Sequence, residues 1–331
     1  MGSHDLLIML SRFVETLIEA YKIFLKKGKL IPSITLLFLL FSSTLFMSNI
    51  FSTKSSVADL VLKLTLLLVN GLTPGSPEFT NLAVSIKDDL GTIARLEWIF
   101  VVASFLTSMF FAIAIIITSA ATYQEGSKGL HVKDLLLMVG KSWKRTFITF
   151  FYTILLDLGY FLFVFAFIFP LVLLFKFDAS LSLLFTLVLL IAAAIFMIYI
   201  SVVWTLSIIV SVLEEKSGIE ALGRASQLAT KGLKLKGFCL KLVFAIFSYA
   251  MVKILMSFTD NNPTASQSVL VILIVLNIAW IVKMFSLTVF TVLYYDCKKN
   301  HGEEVTNELM ETNVVYTKIA MTPPLTTADI P

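Results

Sequence analysis

The stretch Ala179 to Leu213, ASLSLLFTLVLLIAAAIFMIYISVVWTLSIIVSVL, runs for 35 residues without a charge. As one helix it would rise ~52 Å, well beyond the ~30 Å hydrocarbon core of a bilayer, so it is expected to tilt strongly, to break, or to project into water at one end. The rest of the chain agrees with that reading. Of its 331 residues, 58% are apolar and 15% charged, and the mean hydropathy is +0.92. An ordinary soluble domain is about 45–50% apolar and about 25% charged. A soluble fold is thereby excluded.

A helix of about 20 apolar residues hides its backbone polar groups in lipid unaided. Six segments meet that test: 30–51, 98–122, 146–175, 179–213, 238–258 and 268–295. The fold class expected is all-α, a polytopic bundle of six transmembrane helices arranged as three hairpins. Val57 to Leu72 is apolar but short, carries Asp59 and Lys63 one turn apart, and precedes the break signal Thr73-Pro74-Gly75-Ser76-Pro77. It reads as a short interfacial or re-entrant helix inside an outer loop, 52–97. Residues 1–29 read as a cytosolic amphipathic helix, 30–295 as the membrane domain, and 296–331 as a mobile cytosolic tail.

Charge assigns the sides. The segments 1–29, 123–145, 214–241 and 296–331 hold 19 of the 26 Lys and Arg residues, so both termini are expected in the cytosol, at the endoplasmic reticulum or the plasma membrane. The net charge of +4 is therefore a sign of sidedness and not of nucleic-acid binding. No short apolar core with a small-residue cleavage site opens the chain, and the first span is expected to serve as the insertion signal.

Each outward-going span follows a shorter amphipathic stretch that ends in basic residues. In Asp5 to Lys27, Arg12, Glu15, Glu19, Lys22 and Lys26 recur at helical spacing opposite Leu10, Phe13, Val14, Leu17 and Phe24, and Gly28 suits a C-terminal cap. His131 to Arg145 repeats the pattern, and a third copy opens with Ser217-Gly218-Ile219-Glu220, a capping-box sequence, with Glu220 and Arg224 spaced to pair. Lys26, Lys27, Lys29, Lys141, Lys144, Arg145, Arg224, Lys231, Lys234 and Lys236 are the candidate basic interface with an anionic cytosolic leaflet.

Two charges lie deep. Asp157 is eleven residues into the third span and Lys283 twelve from the cytosolic end of the sixth, so each sits ~17–18 Å along its helix. A lone charge at that depth costs about 2.5–3.5 kcal/mol even on insertion scales, which makes mutual pairing, or contact with a wet cavity, the expected arrangement. Asn277 and Tyr160 complete the candidate polar layer, whereas Lys253 can snorkel to the interface.

Familiar chemistry is missing. His4, His131 and His301 have no metal-ligand spacing, and there is no phosphate-cradling glycine loop, nucleophile elbow or Cys-x-x-Cys pair, so neither a metal nor a cofactor is implied. Cys239 and Cys297 read as buried apolar side chains, with Cys297 a candidate for palmitoylation. Glu214-Glu215 is similar to the Glu-Glu-x-x-x-Arg motif of intramembrane metal-dependent proteases. Ile219 stands where the arginine belongs, and the pair reads as a solvated helix junction.

Val210 to Glu214, Gly218, Ala221-Leu222, Arg224, Leu228 and Lys231-Gly232 together resemble a signature of polytopic proteins. That group includes the membrane domain of bacterial glycerophosphoryl diester phosphodiesterases. Ala225 occupies the position of the signature's serine, and the Lys-Gly pair is displaced by one residue. The chain is also similar to a plant family of uncharacterised six-span membrane proteins, through Lys144 to Phe150, Trp204 to Glu214 and Tyr294 to Lys298. The resemblance implies an integral membrane role. It implies no enzyme, since no phosphodiesterase catalytic domain follows the spans in this sequence.

The expectation is a non-enzymatic membrane protein that engages lipids, a membrane-protein partner or a second copy of itself through its basic helices. The alternative is a transporter of small molecules or lipids using the Asp157/Lys283 layer.

Overall fold

The computed structural model describes residues 3–27, 30–69, 76–125, 131–173, 179–230, 234–259 and 264–302. Among the described residues every regular element is a helix: α1 Ser3–Tyr21, extended as a wider π-helical turn over Lys22–Lys27, α2 Leu30–Val69, α3 Pro77–Glu125, α4 Val132–Leu173, α5 Ala179–Leu213, α6 Gly218–Thr230, α7 Lys234–Thr259 and α8 Ala265–Asn300. Six of them, α2, α3, α4, α5, α7 and α8, are long and apolar enough to cross a membrane. The chain is an all-α polytopic bundle.

The uncharged stretch that opened the reading is a single helix of 35 residues, α5. The expected outer loop 52–97 is different. α2 runs on unbroken to Val69 and α3 starts at Pro77, at 40 and 49 residues. Those lengths correspond to ~60 and ~73 Å. The charges at Asp59, Lys63, Lys87, Asp88 and Asp89 end the apolar run, but a charge does not end a helix. Nothing from Leu30 to Val69 removes the chain's helical hydrogen bonding beyond Pro32, which sits in the first turn, where its missing donor is harmless. α3 starts as a proline-first helix does, with Ser76 Oγ accepting from the Phe79 amide at 3.1 Å. Lys63, expected beside Asp59 on a short helix, instead bridges to Asp89 of α3 at 2.5 Å. The Lys176-Phe177-Asp178 turn, Gly28 and the tail beyond Gly302 lie outside the described residues. The helix itself continues to Asn300, past the expected start of the tail.

The chain divides into two compact units. One comprises Ser33–Phe111 and Ile254–Ile281. There Phe38 packs edge-on against Trp280, with centroids 4.9 Å apart, and against Phe111 at 5.0 Å, while Asn49 Nδ2 donates to Glu97.

The other comprises Met1–Pro32, Ala112–Lys253 and Val282–Pro331. It holds the denser core. Ile113, Ile115, Ile116 and Ser119 of α3, Leu206, Ile209 and Val210 of α5, Ala221, Ala225 and Leu228 of α6, and Val289, Phe290 and Leu293 of α8 are essentially inaccessible. Helices buried on all sides must satisfy their polar side chains internally. Thr118, Thr122, Thr146, Ser207, Ser211 and Thr291 do so by donating to carbonyls about one turn back along the same helix, and Ser119 and Thr288 join α3 to α8 at 3.1 Å. α7 fits closely only because it carries Gly237, where a β-carbon would stand 2.8 Å from Val202 Cγ1 of α5.

Overpacking of this kind costs about 1–3 kcal/mol. Gly237→Ala is expected to lower the Tm of the purified protein, and Gly91→Ala, whose added methyl meets open space, to leave it unchanged or raised. Equal melting of the two variants in a detergent thermal-shift assay would show that α7 is not seated on α5.

Candidate functional site

α5 ends at Leu213, and the four residues Glu214-Glu215-Lys216-Ser217 turn the chain into α6. The turn is tight. Glu215 takes φ +57° and Gly218 φ +56°, the left-handed region that costs a residue with a side chain ~1–2 kcal/mol. At Gly218 a side chain is also sterically excluded, since its β-carbon would lie 3.0 Å from the Tyr152 ring. The Gly218 amide donates to Thr149 Oγ1 at 2.9 Å. The capping box expected of Ser217 and Glu220 is not formed among the described residues, because α6 begins against Thr149 of α4 and not on its own serine.

The two glutamates divide their work. Glu214, with a side chain 10% exposed, accepts from Arg224 Nε at 3.0 Å and from the Tyr294 hydroxyl at 2.7 Å. This carboxylate therefore ties α5 to α6 and α8. Glu215 meets Arg145 at 3.2 Å and Lys141 at 3.4 Å, both on α4. Burial alone would raise the Glu215 carboxyl, but the hydrogen bond and charge of Arg145, joined by Lys141, outweigh it and hold the group below its ordinary 4.5. Nearby, Asp296 of α8 accepts from Lys236 of α7 at 2.7 Å and from Thr16 of α1 at 3.3 Å, and Tyr295 stacks on Tyr123 of α3 with centroids 4.8 Å apart. Three carboxylates thus gather six helices at one end of this unit.

This arrangement corrects the expected basic interface. Lys141, Arg145, Arg224 and Lys236 pair with these carboxylates, and Arg224 reaches back to Glu214 rather than to Glu220. Lys144 alone of the described candidates is exposed without an ion pair. Lys26 and Lys27 contribute backbone to the π-helical turn and Lys234 opens α7, their side chains lying outside the description, and Lys29 and Lys231 lie outside the described residues. The Glu214-Glu215 pair, expected to be solvated, is the centre of the network. Cys297 is 1% exposed in the packed part of α8, which leaves an acylating enzyme no access to its thiol and argues against palmitoylation there.

The expected polar layer also comes apart. No ion pair joins Asp157 to Lys283 among the described residues: equal depth along two helices does not place side chains on facing sides. Asp157 instead lines a groove of about 620 Å³ between α4 and α5, with Ile154, Leu158, Tyr160, Phe161, Val164, Leu190, Ala193, Ala194 and Met197. Its Oδ1 is buried and meets no hydrogen-bond partner. Tyr160, one turn on, donates to the Ala193 carbonyl at 2.7 Å. Lys283 lies on the exposed surface of α8. Asn277 belongs to the other unit, where it accepts from Ser43 at 3.1 Å and donates to the Leu273 carbonyl. No cluster of three or more side chains suited to a metal occurs among the described residues.

Residues 4–330 match the family described as "Domain of unknown function (DUF8558)", and the chain belongs to it. No curated protein and no solved structure matches the chain.

Two expectations follow from the clasp. Tyr294→Phe removes a hydrogen bond to a charged acceptor and should cost about 1.5–3 kcal/mol, read as a fall in Tm at pH 7. Glu215 has a depressed carboxyl, so its contribution is fully present above about 4.5 and is lost as pH falls through the lower folded value. With Glu215 partly exposed, the contribution is at most about 1 kcal/mol. A Tm titration from pH 7 to pH 3 should fall more steeply for wild type than for Glu215→Gln, and parallel curves would show that the ion pair adds nothing.

Proposed function

We propose that this DUF8558 chain is a non-enzymatic module of the membrane that engages anionic headgroups of the cytosolic leaflet through the first turns of α4. Its clasped end and both termini then face the cytosol, at the endoplasmic reticulum or the plasma membrane. The observation that carries the reading is how α4 begins. Leu135, Met138, Val139, Ser142 and Thr146 are buried on one side, whereas Val132, Leu136, Trp143 and Phe147 share an exposed arc, flanked by exposed Lys133 and Lys144. Trp143 is 41% exposed and its ring lies 6.5 Å from that of Phe147. An indole beside lysines, on a helix whose apolar face continues into a span, is the composition of a membrane–water interface.

The reading is narrower than the sequence suggested, because four candidate cations are paired with carboxylates of the chain itself. Association with a membrane-protein partner or a second copy remains part of the proposal for the same exposed arc. The transporter alternative rests on a polar layer of Asp157, Lys283, Asn277 and Tyr160, of which the α4/α5 groove holds Asp157 and Tyr160.

Each lysine near an anionic surface is worth about 1 kcal/mol. Full-length protein in nanodiscs containing anionic lipid should therefore melt higher than in purely zwitterionic ones. The double variant Lys133→Glu/Lys144→Glu should lose most of that increment while keeping its zwitterionic Tm. Identical melting of wild type in both lipids, or a full increment in the variant, would overturn the proposal.

A further inference from the structure

The groove beside Asp157 has a chemistry of its own. Its walls are apolar side chains of α4 and α5, opened by the small Ala193 and Ala194, and its volume of about 620 Å³ falls within the about 300–1,000 Å³ typical of small-molecule sites. Around it Ile154, Leu158, Phe161 and Leu190 are exposed, as lipid-facing residues of a span are. Asp157 lies ~17 Å along α4 from Thr146, so anything that reaches it must arrive through hydrocarbon and not from water.

With Asp157 ionised, the state a cationic ligand selects, the polar groups inside are all acceptors. Asp157 Oδ1 has no partner, and a carboxylate offers several lone pairs. The Tyr160 hydroxyl already donates its hydrogen bond to the Ala193 carbonyl, so its oxygen can only accept from a ligand. A ligand that brought further acceptors, such as a fatty acid, would leave buried lone pairs opposed. An alcohol supplies one donor. A primary ammonium supplies three donors, no acceptor, and the charge that matches the carboxylate.

We infer that the α4/α5 groove is a lateral, membrane-facing binding site for a long-chain primary amine, whose ammonium sits at Asp157 and Tyr160 and whose chain lies along Ile154, Leu190, Ala193 and Ala194. The site is independent of the interfacial start of α4, and either can fail without the other.

The test uses full-length protein in nanodiscs and a photoactivatable, clickable long-chain primary amine. Labelling should map to peptides containing residues 154–164 or 190–197, and unlabelled amine should suppress it, whereas the alcohol and the carboxylic acid of equal chain length should not. Asp157→Asn should reduce labelling about tenfold or more, the worth of a charge-assisted hydrogen bond. Ala194→Phe, which fills the groove and keeps the carboxylate, should do the same. It guards against a folding defect in the first variant, and both are compared with wild type at matched Tm and elution volume. Unchanged labelling in both variants, labelling elsewhere, or equal competition by alcohol or acid overturns the inference. So does disulfide capture of a second chain by Ala194→Cys, which would place a protein helix in the groove.

Discussion

The Glu214 carboxylate sits almost out of solvent where three helices converge, and a charge in that position must be met from every side. Arg224 meets one oxygen and the Tyr294 hydroxyl the other. Removing one partner of such a buried pair costs about 3–5 kcal/mol, because the other is left unpaired. The rest of the unit follows from this constraint. α5 has to end at Leu213, the turn has to enter the left-handed region at Glu215 and Gly218, and α6 has to return so that Arg224 lies under Glu214. The turn's strain is offset by Arg145 and Lys141 on Glu215 and by Thr149 on the Gly218 amide.

Beside the clasp α3 and α8 are buried on all sides, and their composition shows why they can be. α3 brings small and β-branched residues through Ala112 to Thr122, and α8 brings Thr288, Thr291 and the tyrosines 294 and 295. Hydroxyls that return to their own helix, with Ser119 and Thr288 bonded across, let polar side chains sit in the core without an aqueous partner. Farther along α4 and α5 the pattern reverses. Large apolar residues are exposed to lipid, and there Asp157, which no clasp satisfies, opens on a groove.

The helices were legible because length and hydropathy are local properties. The uncharged run of α5 names its own limits. The extension of α2 and α3 across 52–97 was not legible from a test that counts apolar residues, since water-facing helices continue through charges as readily as through leucines. Clustered basic residues were read as facing headgroups because the carboxylates that claim them are remote in sequence: Arg145 and Glu215 are 70 residues apart, Lys236 and Asp296 60. A usable signal was present. Val210–Glu214, Gly218 and Arg224 form the junction itself, and Gly218 is required there by both φ and contact. For Asp157 and Lys283, sequence supplied depth but not the direction around the helix.

The most direct measurement is a double-mutant cycle on Glu214→Gln and Arg224→Met, followed by equilibrium unfolding of the full-length protein at pH 7. If this ion pair organises the packed end, the two substitutions are strongly non-additive, with a coupling of about 1–3 kcal/mol. Additive effects, with a coupling indistinguishable from zero, would contradict the central place given to Glu214.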